Sequence, residues 1–517
     1  MKKIINKIVL ISLIAGFAYS CTDLEEINYS EVKVSEFGTN QTEVNALVGS
    51  VYSTLKMNGV VWDSYVTMDE LTTHMIAIPG YKGGDWGEPM FRETMQHTWT
   101  ALSTGWSGTY TGPSSAISLC NQMYYMVDTN PVITEEVKKQ IISEIRGIRA
   151  FWYYVLCDHY GNVPIVTDFL DDNKQPATKS RKEVYTFIMN ELLDIKDKLR
   201  SDVPGMSSYG KFTKGSAYTL LAKMYLNALV WNPDGGPKWK ECADACNVVM
   251  GMPYILENNW KLNFAVKNEV SKEAILSAVF KAGGSGIQND MALNTLHYLD
   301  PVALGLNLSP WNGLAAGPAY AKEFDTTDVR YNGSFLIGPM IDPETGDVLI
   351  TAHGRPLIHT VDMVLNEVDD TGWGWINQED GARNWKWEFE PGLSTSMEND
   401  VHIFRLADVY LMRAEALLRS GGSAAEATEL VNRVRARAFP NNPAKLLTSA
   451  TLKDVYQERR YEFAWEGHSR QDMIRFGTFL DARPPFKPWK SDPKYLLYAI
   501  PQNVIDANSN IKQNPGY

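Results

Sequence analysis

The chain of 517 residues is poor in cysteine, with five, and short of basic side chains: 49 lysines and arginines stand against 61 acids, a formal charge of −12. That balance, with no long basic run, opposes nucleic acid as a partner, since phosphate binding depends on clustered lysine and arginine that displace counterions. Eight histidines are present, but no His-Glu-x-x-His and no pair at helical spacing; His353 and His359, the nearest two, are six apart in a loop segment. Metal catalysis therefore has no support, and no metal or other cofactor is expected. Hydrophobic residues at 44% and charged residues at 21% are ordinary globular usage, which excludes wholesale disorder, collagen-like repetition and a multi-span membrane protein.

The one notable apolar run is N-terminal. Lys2, Lys3 and Lys7 precede the apolar residues 8–18, and Ala18, Tyr19 and Ser20 lead into Cys21. Eleven residues at 1.5 Å rise cover about half of a ~30 Å hydrocarbon core, so residues 1–20 read as an export signal rather than a permanent span. A cysteine ending such a run resembles a bacterial lipoprotein signal, in which Cys21 is acylated and becomes the mature N-terminus, tethered to a bilayer by lipid only. Removing residues 1–20 takes away three lysines, and the charge becomes 46 minus 61, or −15. Cys120, Cys157, Cys242 and Cys246 remain. Cys242 and Cys246 share one helix face unsuited to bridging, and all four read as small core residues.

Amphipathic segments come in pairs: 41–57 with 103–127, 141–159 with 181–199, 214–231 with 238–250, and 404–419 with 424–437. In the last pair Leu406, Val409, Tyr410, Ala414, Leu417 and Leu418 mark an apolar stripe, Gly421 and Gly422 end the helix, and Ser423 with Glu426 offers a capping box. Ser180 with Glu183 repeats that signature. Helical hairpins of this kind cannot bury their faces alone, so stacking neighbours is expected to stabilise them as one scaffold over residues 21–517. Segments 58–102, 283–402 and 480–517 are instead rich in Gly, Pro, Asn and aromatics. They are too long for connectors, and 58–102 and 283–402 are expected to form a loop-rich ligand-binding region.

Several stretches in order resemble the SusD/RagB family of surface lipoproteins that capture nutrients: RGIRA at 146–150, YGNVP at 160–164, GKFTKGSA at 210–217, RLADVYLMRAEA at 405–416, NRVR at 432–435, ERRYEFAWEG at 458–467, DMIRFG at 472–477, and the ending from Ile500-Pro501 to QNPGY at 513–517. The resemblance implies a mostly α fold of four tetratricopeptide-like helix pairs. It also implies outer-membrane anchoring through Cys21, facing the cell exterior, and partnership with a SusC-like TonB-dependent transporter. Those motifs are mostly structural: Glu458, Arg459, Arg460, Glu462, Glu466 and Arg470 include opposite charges three and four apart, which predicts an ion-pair network.

Catalytic patterns fail one by one. GMSSYGKF at 205–212 puts Phe212 where a phosphate loop needs Ser or Thr, and the GWSG at 105–108 lacks the second glycine of a nucleophile elbow and a preceding strand. Sixty-one acids guarantee candidates for glycoside hydrolysis without identifying a pair. No chemical step is therefore expected.

Fifteen tryptophans and twenty-five tyrosines exceed what a core of this size requires, and several fall in the long loops. A flat ring matches the C–H face of a sugar while nearby Asp, Asn or Arg meets its hydroxyls, so the composition suits carbohydrate recognition, although peptides use the same chemistry. In the loop from Asp69-Glu70 to Trp99, Tyr81 and Trp86 are expected to stack and Asp69 and Asp85 to hold hydroxyls, with glycines admitting close approach. That loop resembles the Gly-Gly-Asp-Trp loop of some glycan-binding members. Tyr298 with Trp311 is a second candidate, where the resemblance places an aromatic contact. A third surrounds Arg383, a potential hydroxyl donor, between Trp373/Trp375 and Trp385/Trp387; the tryptophans there read mainly as core, as does Trp99. The expected function is capture of oligosaccharide or polysaccharide for a transporter. Peptide capture and an exported glycoside hydrolase are the alternatives.

Overall fold

The computed structural model describes residues 41–58, 65–79, 86–201, 208–281, 288–368 and 374–517. The protein is mostly helical. Among the described residues the helices of seven or more residues are α1 (Gln41–Ser53), α2 (Tyr65–Thr73), α3 (Pro89–Gln96), α4 (Gly108–Asp128), α5 (Glu135–His159), α6 (Arg181–Ile195), α7 (Lys214–Leu226), α8 (Trp239–Met250), α9 (Leu406–Arg419), α10 (Ala424–Ala436), α11 (Leu452–Glu462) and α12 (Ser469–Arg475). From α4 to α10 each helix packs on the next, although α8 and α9 are some 155 residues apart; α1 lies across α4 and α5, and α11 closes on α9. The apolar faces that single hairpins leave open are covered by this stacking.

Local chemistry sets the helix ends. Glu135 and Glu136 place negative charge at the positive end of α5. Ser180 and Glu183 form the predicted capping box of α6, and Ser423 accepts the Glu426 amide at the start of α10. Gly421, at φ +69°, turns the chain out of α9 while the Gly422 amide reaches back to the Leu417 carbonyl at 2.8 Å. Two further boxes, Thr213–Ser216 on α7 and Thr451–Asp454 on α11, escape the usual pattern because Ser and Asp stand where Glu or Gln is expected. The Phe212 ring lies so close to α5 that a Cβ on Gly147 would sit 2.2 Å from it. Cys120, Cys157, Cys242 and Cys246 are free and buried, as expected of core residues.

The described parts of segments 58–102 and 283–402 are folded onto the helices. The first contains α2, buried from Val66 to Thr73, and α3. The second contributes short antiparallel ribbons: Ala315–Ala316 on Ile76–Ala77, and Arg383–Asn384 on Phe335–Leu336. A longer ribbon pairs Ala274–Ala278 with Val401–Arg405, Arg405 opposite Ala274, and runs straight into α9.

Under α11 lies a buried ion network. Glu462 meets Arg330 (2.8 Å), Arg405 (2.6 Å) and Arg437 (2.6 Å); Glu458 meets Arg330 and Arg435; Glu466 meets Arg405 and Lys386; Glu273 meets Arg405 and Arg437. An ion-pair network is present, but not through the expected partners three and four residues apart: Arg459, Arg460 and Arg470 pair instead with Asp408 and Asp472, Glu323, and Asp158. Burial raises the Glu273 carboxyl, and Arg437 and Arg405 more than reverse it, holding it at about 2.

Candidate functional site

Two exposed aromatic rings stand on loops hung from one short helix, Met291–Thr295. Tyr298 is 38% exposed and Trp311 42%. The amides of Trp311, Asn312, Gly313 and Leu314 donate to the carbonyls of Leu293 (2.6 Å), Leu296 (3.0 Å), Asn294 (2.9 Å) and again Asn294 (2.8 Å), which ties the Trp311 loop to that helix residue by residue. Asn312 takes a left-handed φ of +57° and buries its amide, whose Nδ2 donates to the Gln378 carbonyl at 3.2 Å. The Trp311 loop is thus held by backbone geometry, while the Tyr298 ring tilts against the His297 ring at 5.3 Å between centroids.

Trp86 braces this arrangement from the other side. Its Nε1–H donates to the Trp311 carbonyl at 2.6 Å, and its ring tilts on Phe91 at 5.4 Å between centroids. It lies flat enough on Gly313 that a Cβ there would come within 2.2 Å of the indole. Trp86 is half-buried, so part of its surface faces solvent beside Trp311. Tyr81 and Asp85, expected to act with it, lie outside the described residues, as does Cys21.

The Tyr298 turn is closed by Asp300, whose Oδ2 accepts the His297 amide at 2.7 Å and whose Oδ1 accepts from His359 Nε2 at 2.7 Å. Burial pushes the Asp300 carboxyl up, but His359 and Arg383 beside it outweigh this and leave it below the usual range. Burial, aided by Arg383, lowers His297 to about 4, so its ring is neutral near pH 7. Sequence reasoning passed over Asp300 and Asn312, and it weighed His359 only against His353 as a metal-ligand pair. Only the Asp300-Pro301 start of a helical turn hints at one of them.

Two expectations are corrected. Arg383 is not a hydroxyl donor at the surface: it is 0% exposed, its Nη2 donates to the Gln378 carbonyl at 2.6 Å, and it lies under the Tyr298 turn as a buried charge. Asp69 does not hold hydroxyls either. It sits on buried α2 at 3% exposure, accepting from His159 Nε2 (2.8 Å) and Tyr498 (3.1 Å). Trp99 and Trp387 are buried and Trp385 half-buried; the side chains of Trp373 and Trp375 lie outside the described residues.

Asp69, Asp158 and His159 converge within metal-ligand distance of one another. Arg470 lies 3.1 Å from Asp158 and 3.7 Å from Asp69, and Arg181 lies 3.8 Å from Asp158. Two guanidinium groups thus balance two carboxylates, and a divalent ion would add uncompensated positive charge in a buried place, so the cluster fits an ion-pair core rather than a metal. The adjoining cavity of about 60 Å³ is far below the ~300–1,000 Å³ of ligand pockets.

Comparison with known proteins agrees in fold and sequence. The SusD family profile matches residues 375–517. The starch-binding protein SusD of Bacteroides thetaiotaomicron is 26% identical over 432 residues, covering 77% of this chain and 76% of the relative. A SusD-like protein of Formosa agariphila is 30% identical over 414 residues, covering 73% and 74%. Among solved structures, a laminarin-binding SusD-like protein superposes with a TM-score of 0.74 at 23% identity, covering 93% of this chain and all of that one.

Proposed function

The chain belongs to the SusD family, and from that premise we propose that it is a non-catalytic, cell-surface glycan-binding protein that captures oligosaccharide and passes it uncut to a SusC-like TonB-dependent transporter. The observation that carries this reading is the pair of exposed rings, Tyr298 and Trp311, on loops pinned to one helix, with Trp86 at their side. Rings fixed in advance lose little freedom on binding, and their faces match the C–H faces of sugars. Tyr81 and Asp85 stay proposed contacts on the strength of their place in the sequence just before Trp86. The names of relatives that bind starch and laminarin support a glycan over a peptide. Lipid on Cys21 would hold the protein at the outer membrane, where tethering raises its effective concentration beside the transporter.

Calorimetry of protein lacking residues 1–21 against neutral and acidic glycans and peptides tests the reading. A glycan is expected to bind, and Trp311→Ala is expected to weaken it by roughly 1–3 kcal/mol without loss of helical signal. Unchanged affinity in that variant removes Trp311 from the site. New reducing ends appearing during incubation would make the protein a hydrolase instead.

A further inference from the structure

A surface groove of about 370 Å³ runs between the Trp260–Phe264 turn and residues 385–389, which follow the Arg383–Asn384 strand. Trp385, half-buried, forms one wall and meets Phe389 edge-on at 5.6 Å. Both walls are braced. The Trp385 amide donates to the Ser334 carbonyl at 3.0 Å; Lys261 Nζ donates to the carbonyls of Gly333 (2.7 Å) and Trp385; and the Glu388 amide donates to the Phe264 carbonyl at 2.9 Å. The rim carries open polar groups. Asn259 caps the turn through Oδ1, which accepts the Lys261 amide at 3.1 Å, and its Nδ2 has no acceptor among the described residues. Glu388, exposed, accepts the Val266 amide on Oε2 at 3.0 Å and has no donor to its other oxygen among the described residues.

We propose that this groove is a second saccharide site, taking one or two neutral sugar units against Trp385, with hydroxyls bonded to Glu388 and Asn259. The proposal rests on the reading of the protein as a glycan binder. A preformed wall with an aromatic face, one acceptor and one donor is the arrangement that a hexose ring completes, and its volume lies in the range of small-ligand pockets. The charge argues for a neutral unit: the exposed Glu388 carboxylate repels acidic sugars, and Lys261, still charged near pH 7, has two of its hydrogens engaged with the carbonyls of Gly333 and Trp385 rather than turned to the groove. A second weak site would hold a long chain at two points, raising retention of polysaccharide far more than that of a short oligomer.

Protein grown with 5-fluorotryptophan, its Trp385 and Trp311 resonances assigned from Trp385→Phe and Trp311→Phe, would be titrated with laminarihexaose, maltohexaose, cellohexaose, mannohexaose and, separately, hexaproline. The Trp385 resonance is expected to move saturably with at least one sugar and to do so still in Trp311→Ala, while Glu388→Ala, on the exposed rim, weakens that response at least threefold. A Trp311 shift with no Trp385 shift overturns the second site and leaves the glycan reading standing. A Trp385 shift with hexaproline alone assigns the groove to peptides and overturns the proposal. Silence of both resonances with every probe overturns the proposal and the glycan reading together.

Discussion

Gly313 shows how finely the aromatic face is built. A methyl group there would lie 2.2 Å from the Trp86 indole, so Gly313→Ala must displace the ring that donates to the Trp311 carbonyl. Overpacking of this sort costs roughly 1–3 kcal/mol. Urea unfolding is expected to show that loss, and glycan binding is expected to fall with it; a variant as stable as the parent would mean that the indole moves freely. Tyr298 and Trp311 are marked by the family resemblance, which places an aromatic contact in that stretch; composition alone does not separate an exposed ring from a core one, and the same stretch buries Phe324, Phe335 and Trp387. Asp69 and Arg383 were misplaced for a similar reason. A charge carries no local mark of burial, and the groups that absorb Asp69, His159 and Tyr498, lie 90 and 429 residues away.

At the scale of elements, periodicity and caps carried most of the information. The Ser180–Glu183 box and the Gly421-Gly422 stop are local chemistry, and they mark the ends of α6 and α9 as read. Where the end depends on tertiary contact the reading drifted: residues 401–405 pair with Ala274–Ala278 as strand, so α9 begins at Leu406 rather than 404. The same limit hid α2, whose nine residues are buried almost throughout and so have no amphipathic stripe. The ion network illustrates it most clearly. Charges three and four apart suggested pairing along α11, yet Glu462 is shared by Arg330, Arg405 and Arg437 from three other segments. Removing one member leaves uncompensated charge in the interior. Glu462→Gln is therefore expected to destabilise the fold by about 3–5 kcal/mol in chemical denaturation, whereas a loss under about 1 kcal/mol would show the network to be dispensable.

Across the whole molecule, buried titratable groups set a pH response. Burial lowers His74 and His402 to about 3 and His297 to about 4, and it holds His97 and His468 below their ordinary value. Each is neutral in the folded chain and protonates on unfolding below about 6.5, so each contributes stability that is lost as pH falls from there towards its folded value. Two buried acids oppose them: burial raises Glu70 to about 8 and Asp400 to about 6, and both favour the folded state as pH falls towards ~4. Five histidines outweigh these two acids and the half-buried Asp290 and Asp380, which burial also raises, between about pH 6.5 and 4.5, and below that Glu273 adds to the loss. Melting temperature is expected to fall on acidification across this window; a rise would mean that the histidines are hydrated. The central claim is that a face of fixed aromatic rings grips a glycan and leaves it intact, and the Tyr298→Ala/Trp311→Ala double variant addresses it most directly. Titrated beside the parent with the glycan that the parent binds, and with the glycan recovered afterwards for chain-length analysis, the variant is expected to keep its fold, lose at least tenfold in affinity, and return chains of unchanged length, as should the parent. Parent-like affinity in the variant, or shortened chains from the parent, would contradict it.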